Sequence, residues 1–381
     1  MRRSIPAIFA RGGTSNGLVI HRRDLPARDR WHAVLPAAMG SPDPRHGRQL
    51  DGMGSGASST SKVCVLSPTA RPGADVEFTF VQVGVGDGRL DTAGNCGNMS
   101  SVVGPVSLDE GLVGEPRVDP GGETALVRIF NTNTAKIIHS RFRVAGDPPR
   151  YCPDGDYVMD GVPGAGSRVT LSFLDPAGAK TGRALPTGNA VDTLRLPDGS
   201  AVEASLVDVS NPGVFVRAAD VVVAVPGAEE VEAQVQALDP AAVEADPLLK
   251  TRLEMVRRVG AARMGLDPEV QSVPKIVLVL PRRGGGGGTA TDEPDIRCLA
   301  LSMGQAHKAV PLTLALCLGA AAGIPGTIPF QLKAREGTGG TVVIGHPSGR
   351  VEIGTTVRDG KILSAELHRT ARILMKGEVF Y

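Results

Sequence analysis

Apolar residues along this chain fall into short runs cut by Gly, Pro and Asp, and their spacing is mostly two. Val76, Phe78 and Phe80 alternate with polar neighbours, as on a strand with one buried face. The runs at 5–10, 62–68, 74–91 and 124–139 predict strands in the first half, and those at 167–176, 212–220 and 274–281 predict strands in the second. Residues 341–353 predict a hairpin turning at Pro347, Ser348 and Gly349. Helical spacing is rarer. The residues after Cys96 predict a short or kinked helix interrupted by Pro105. Leu249, Leu253, Val256 and Val259 give 241–265 an amphipathic helix, and 303–324 reads as a long apolar helix opened by Gly304. The five consecutive glycines within Arg282–Pro294 predict a flexible loop.

Each half is thus mostly strands and carries one apolar helix that follows a glycine, Gly97 or Gly304. The fold class expected is α+β, with two pseudo-symmetric lobes and a cleft between them. The Pro/Thr/Gly/Asn cluster at 184–192 sets the limits at 1–186 and 187–381, with a C-terminal strand free to cross back to the first lobe.

Charge and composition narrow the function. The 41 Lys+Arg against 40 Asp+Glu leave a net charge of +1, which gives no electrostatic case for nucleic acid or an anionic membrane. Aromatic residues at 3% leave little to stack bases or sugars on. The longest apolar run, Val310–Ile324, is broken by Pro311, Gly319 and Gly323, so no membrane span is expected. Pro6 and Arg11 shorten the N-terminal apolar run below that of a signal peptide. Five irregularly spaced cysteines without a CxxC predict a reducing, cytoplasmic setting, and the scattered histidines predict no metal site.

Four stretches carry candidate chemistry. Cys96 lies between Asn95, Gly97 and Asn98 at a helix start, where unpaired amides favour a thiolate or an enolate oxygen. The alternative is a small buried hydrophobe, against which the polar, Gly-rich surroundings argue. Lys62 follows Ser61 and opens an apolar run; it is either the exposed end of a strand or a desolvated lysine fit to act as a base. Gly13, Thr14 and Ser15 form an anion-binding turn without the ending of a Walker motif. His307 and Lys308, placed in the first turn of the second apolar helix, oppose its dipole unless a carboxylate offsets them. Arg369 and Arg372 are either anion ligands or part of an exposed face.

These segments come in a familiar order. "RGGTSNG", "SSTSKV", "GNCGN", "NTNTAKII", "NPGVFV", "PKIV", "SMGQAHKA", "GHPSG" and "RTARILMKG" resemble the PrpF-like isomerases over the whole chain. That family includes methylaconitate isomerase, methylitaconate Δ-isomerase and 4-oxalomesaconate tautomerase, and its fold is similar to diaminopimelate epimerase. The resemblance implies a curled mixed sheet around a central helix in each lobe. It implies Lys62 and Cys96 as the catalytic pair. It also implies substrate carboxylates held by Gly13, Thr14, Ser15, Ser61, Asn95, Gly97, Asn98, Met303, Gly304, Gln305, His307 and Lys308, with Lys275 as a further cation. The expected reaction is a cofactor-independent 1,3-allylic proton transfer in an unsaturated di- or tricarboxylic acid. The small polycarboxylate is the expected partner, and a homodimer stays open. Asn16 stands where the family's first motif usually has lysine, which bears on which acid is accepted. Two alternatives are a non-catalytic carboxylate-binding accessory protein for an iron–sulfur dehydratase and an amino-acid racemase. The racemase is disfavoured because neither Cys298 nor Cys317 stands at the start of the second helix.

Overall fold

The computed structural model describes residues 3–222, 228–282, 293–334, 340–358 and 361–381. Most of the glycine-rich run expected as a loop lies outside the described residues. The chain divides into two units, Met1–Leu174 with His368–Tyr381, and Asp175–Leu367. The expected limit at 186/187 therefore differs from the observed division. The reason is that the Pro/Gly-rich stretch after Leu174 is fastened to a strand of the second unit. Gly178 N donates to the Asp208 carbonyl at 2.7 Å, and the Asp208 carboxylate accepts from the amides of Lys180 and Thr181 at 2.8 and 2.7 Å.

In the first unit, β1 (Ser4–Gly12) and β2 (Ser15–His21) form a hairpin, followed on the outer face by α1 (Trp31–Met39). β2 runs parallel to β3 (Lys62–Pro68), which pairs antiparallel with β4 (Val76–Val83). After α2 (Gly97–Asp109), β5 (Thr124–Asn131) lies parallel to β4, and β6 (Lys136–Ala145) and β7 (Val169–Leu174) follow antiparallel. The last strand of the chain, Ala371–Phe380, pairs antiparallel with β1.

The two faces of β3 and β4 have different partners. Val63, Val65, Val81 and Val83 join Trp31, Leu35 and Met39 in one core cluster. Strand alternation turns Lys62, Cys64 and Leu66 to the opposite face, together with Phe78, Phe80 and Gln82. That face meets α2, which touches β1, β2, β3, β5, β6 and β7 and is buried from Gly97 through Leu108. A helix enclosed on all sides has no polar stripe to display. Its small residues instead admit close strands: a methyl on Gly104 would meet the Phe142 ring at 2.8 Å. This is why a segment rich in Gly, Ser and Asn folds as a central helix.

The second unit repeats the plan. β8 (Ala201–Val209) and β9 (Asn211–Arg217) are antiparallel, and after α3 (Pro247–Arg263), β10 (Lys275–Leu280) lies parallel to β9. β11 (Ile296–Ser302) is antiparallel to β10 and carries the short β12 (Gln305–Ala306). After α4 (Leu312–Ala321), β13 (Thr341–His346) runs parallel to β11, and β14 (Gly349–Arg358) and β15 (Lys361–Arg369) follow antiparallel, the last two residues of β15, His368 and Arg369, already belonging to the first unit. The pairing senses from β1 to β7 recur in the same order here, with β12 as an appendage. α4 is buried along its whole length, as α2 is from Gly97 through Leu108. The fold is α+β, a curled mixed sheet around one buried helix in each unit. Among the described residues no helix is long and apolar enough to cross a membrane.

Two expected helices start elsewhere. The amphipathic one is split: Pro240–Ala245 ends at Asp246, whose carboxylate accepts from the amides of Leu248 and Leu249 at 3.0 and 2.9 Å and caps α3. The apolar helix expected from 303 begins only at Leu312. Met303 and Gly304, with φ of 54° and 70°, are the turn between paired Ser302 and Gln305. His307 N then donates to the Ala300 carbonyl at 2.9 Å, so β-type pairing continues past β12. Pro311 disfavours helical backbone at Val310 and stands at the N-cap of α4. His307 and Lys308 therefore precede the helix and are not in its first turn, and Gly304 does not open it.

Candidate active site

Lys62 opens β3 and is buried, only 8% exposed. Its Nζ donates to Gln82 Oε1 at 2.7 Å and lies 5.2 Å from the centre of the Phe80 ring. Gln82 stands opposite Lys62 in the β3–β4 register. The amide end of Gln82 is fixed in turn, because Nε2 donates to the carbonyls of Ser58 and Ser61 at 3.0 and 2.9 Å. Among the described residues no carboxylate lies within ion-pairing distance of Lys62. The amine is held by a neutral acceptor and an aromatic face, an uncommon arrangement for a buried lysine.

The Gly/Ser-rich stretch before Lys62 is organised by Gln49, which is fully buried. Its Nε2 donates to Ser41 and Ser61 hydroxyls at 2.9 and 2.7 Å, and its Oε1 accepts from Gly56 N at 3.1 Å. Ser61 passes the tie on by donating to the Val83 carbonyl at 2.9 Å. A methyl on Gly54 would collide with the Gln49 side chain, so glycine here allows the loop to close around it.

Cys96 is the N-cap residue of α2, half-buried, with its carbonyl accepting from Ser100 N at 2.9 Å. Its side chain makes no capping bond. Cys64 stands two residues along β3 from Lys62, on the same strand face, and burial pushes its thiol well up, with smaller opposing contributions from Cys96, which raises it, and Lys62, which lowers it.

The β1–β2 turn completes this end of the unit. Gly13, with φ of 51°, and Thr14 connect paired Gly12 and Ser15. Arg11 Nη1 donates to the Gly13 and Thr370 carbonyls at 3.0 and 3.1 Å, and Gly13 N donates to the Thr370 carbonyl at 2.9 Å. Asn98, in the first turn of α2, donates from Nδ2 to Thr14 Oγ1 at 3.0 Å. Asn98 Oδ1 accepts from Arg369 Nε at 3.1 Å. Asn95 Nδ2 donates to Ser100 Oγ at 3.3 Å, and Gly97 is buried at the helix start. The residues expected on the first lobe, Gly13, Thr14, Ser15, Ser61, Lys62, Asn95, Cys96, Gly97 and Asn98, therefore cluster around β3 and the start of α2.

The remaining expected residues belong to the second unit. Lys275 opens β10 and is buried, with Nζ donating to the Ser272 carbonyl at 2.8 Å. Met303 and His307 are half-buried, whereas Gly304, Gln305 and Lys308 are exposed. This segment is tied down by Glu244, which accepts from Ala306 N at 2.7 Å, and by Ser348, whose amide donates to the Lys308 carbonyl at 2.9 Å. Neither remaining thiol of this unit stands at the start of α4. Cys298 lies within β11, where burial pushes its thiol up to about 12, and Cys317 lies within α4, donating to the Val207 carbonyl at 3.3 Å. Among the described residues no group of three or more His, Cys, Asp or Glu could hold a metal.

Gln82 and Gln49 went unread in the sequence, and Arg369 was left between two readings there. Gln82 carried a signal: it continues the inward spacing of Val76, Phe78 and Phe80 and is the polar member of that face. Gln49 carried none, since no apolar spacing or motif marks the residues around it.

Comparison with known proteins agrees over the full length. The family described as PrpF protein matches residues 2–381. The 3-methylitaconate isomerase of Eubacterium barkeri is 36% identical over 389 residues, covering 99% of this chain and 97% of that one. The 2-methyl-aconitate isomerase of Cupriavidus necator is 37% identical over 402 residues, covering 98% and 96%. A crystal structure of methylitaconate-delta-isomerase matches with a TM-score of 0.76 at 35% identity, covering 100% of this chain and 96% of the other. A hydroxyproline epimerase from Agrobacterium vitis, 14% identical with a TM-score of 0.54 and coverage of 100% and 94%, shares the fold. With full-length matches in sequence and in structure, the chain belongs to the PrpF family and is an isomerase.

Proposed function

We propose that this isomerase moves a carbon–carbon double bond within an unsaturated di- or tricarboxylic acid by 1,3-allylic proton transfer. Lys62, as the free amine, takes a proton from the carbon γ to a carboxylate or keto group across the double bond. The electron pair of that C–H bond spreads into a dienolate. The unpaired amides at the start of α2 stabilise the developing oxyanion. A proton returned to the α carbon, from the Lys62 ammonium or from the Cys96 thiol, completes the shift. On the Lys62 route the amine regains its starting form directly; on the Cys96 route the Lys62 ammonium then passes its proton to the thiolate, directly or through solvent, and in both the carboxylates act as the electron sink.

The observation that carries this reading is Lys62 itself, buried against Phe80 and oriented by the neutral amide of Gln82. A lysine kept for stability would be expected beside a carboxylate. The relatives named above as 3-methylitaconate and 2-methyl-aconitate isomerases support the substrate class. The test is a proton NMR time course in deuterium oxide with cis- and trans-aconitate, methylaconitate, methylitaconate and 4-oxalomesaconate. Vinyl-proton shifts or deuterium wash-in are expected with at least one acid. Binding without either makes the protein a carboxylate binder and ends the proposal.

A further inference from the structure

Arg369 ends β15 and is 8% exposed. Two of its nitrogens have partners, and both partners are neutral. Nε donates to Asn98 Oδ1 at 3.1 Å, and Nη1 donates to the His368 carbonyl at 2.8 Å. A guanidinium offers five donors, and among the described residues no carboxylate lies within ion-pairing distance of this one. Burial pulls it down to about 10, with Tyr157 as the titratable neighbour acting on it in the opposite sense.

Arg257 shows how this protein treats a structural buried arginine. It is 4% exposed, Nε and Nη2 grip both oxygens of Glu254 at 2.7 Å, and Nη1 and Nη2 reach the carbonyls of Val270 and Pro268. Arg128, only half-buried, is likewise held by Asp75 at 2.6 Å. Buried charges are normally paired, and Arg369 lacks the acid that Arg257 and Arg128 have. Its surroundings matter equally. Asn98 bonds both Arg369 and Thr14, and a methyl on Gly13 would meet Arg369 Cδ at 3.1 Å. The uncompensated cation therefore stands against the β1–β2 turn and the first turn of α2, the helix that Cys96 precedes as N-cap residue.

We propose that Arg369 is the carboxylate anchor of the site, receiving one carboxylate of the substrate with its free donors and so selecting polycarboxylic over monocarboxylic acids. This rests on the reading that the guest is an unsaturated polycarboxylate. Asn98 and the His368 carbonyl fix the plane of the guanidinium, which suits two-pronged recognition of a carboxylate.

Calorimetric titration of the full chain with tricarballylate, glutarate and butyrate tests the anchor without turnover, because none of these acids has a double bond. The unmodified protein should bind tricarballylate at least about thirtyfold tighter than butyrate. Arg369→Gln should weaken tricarballylate by about thirtyfold with an unchanged circular dichroism spectrum. Arg369→Lys keeps the charge but not the fork and should weaken it by about tenfold; this variant decides alone should Arg369→Gln fail to fold. Tricarballylate affinity unchanged in the folded variants overturns the proposal. So does an unmodified protein that binds all three acids alike. Silence of the unsaturated acids in the NMR assay would end the isomerisation reading and leave this binding result standing.

Discussion

β3 and β10 begin alike and end up chemically different. Each is a parallel strand laid beside the second arm of a hairpin, each starts with a buried lysine, and each lysine has a glycine alongside. Gly213 pairs with Lys275, and Gly17 is so close to Lys62 that a methyl on it would collide with the Lys62 carbonyl. Opposite Lys62 stands Gln82, which fixes the amine; Ile276 pairs with Leu301, which puts Ser302 level with Lys275. The helix behind Lys62 starts with a half-buried cysteine and Asn98, whereas α4 starts with Pro311, Leu312 and Thr313. Lys275 instead reaches a carbonyl three residues back along its own chain. The repeated backbone supplies a place for a lysine twice. Only the first copy sets an oriented amide against the lysine and a half-buried thiol at the start of the helix behind it.

The largest effect should come from exchanging the two lysines for alanine in turn. Lys62→Ala is expected to lower turnover by about 10³-fold, the scale of losing a general base. Lys275→Ala should cost no more than about tenfold. Equal losses in the NMR assay would erase the distinction between the two strands.

The thiols come next. Cys96→Ser should slow deuterium wash-in by about 10²-fold, while Cys317→Ser, deep within α4, should leave the rate within about twofold, because a buried structural thiol is inert. Unimpaired wash-in for Cys96→Ser would reduce that residue to positioning the substrate.

Gln82 acts through Lys62 and calls for a readout that packing alone would not move. Gln82→Glu sets a carboxylate against the Lys62 amine and favours its charged form, so kcat should fall by about tenfold with KM little changed. A loss that appears in KM alone, or none at all, would make Gln82 a structural residue. The smallest effects are on stability. Gly17→Ala drives a methyl into backbone and should cost about 3 kcal/mol in urea unfolding. Gly213→Ala meets the side chains of Phe215 and Leu314, which can turn aside, and should cost about 1 kcal/mol.

Much of this was legible in local patterns. The two-residue spacing of Val76, Phe78 and Phe80 reads directly as the inner face of β4, and the segment 62–68 coincides with β3. Lys62 and Cys96 stood out because each breaks its local composition, one a charge opening an apolar run and the other a thiol among turn formers. The start of α4 was misread for a physical reason. Apolar content in 303–324 suits helix and buried hairpin equally, and two residues at positive φ with a proline after them decided the matter. Gln49 was hidden because its role is to be wrapped by glycines, and glycine-rich segments look alike whether or not something lies inside them.

By itself the sequence determined the alternation of strands, the two buried helices as elements and the residues able to do proton chemistry, because periodicity, turn residues and side-chain type act within a few positions. Which groups share a surrounding was decided only by tertiary structure. Asn98 and Arg369 are 271 residues apart and in hydrogen-bond contact, a juxtaposition set by the pairing of Ala371–Phe380 with β1, which local spacing does not encode. The same holds for the missing counter-ion of Arg369: a lone arginine in a sequence looks no different from a paired one until the fold shows what surrounds it.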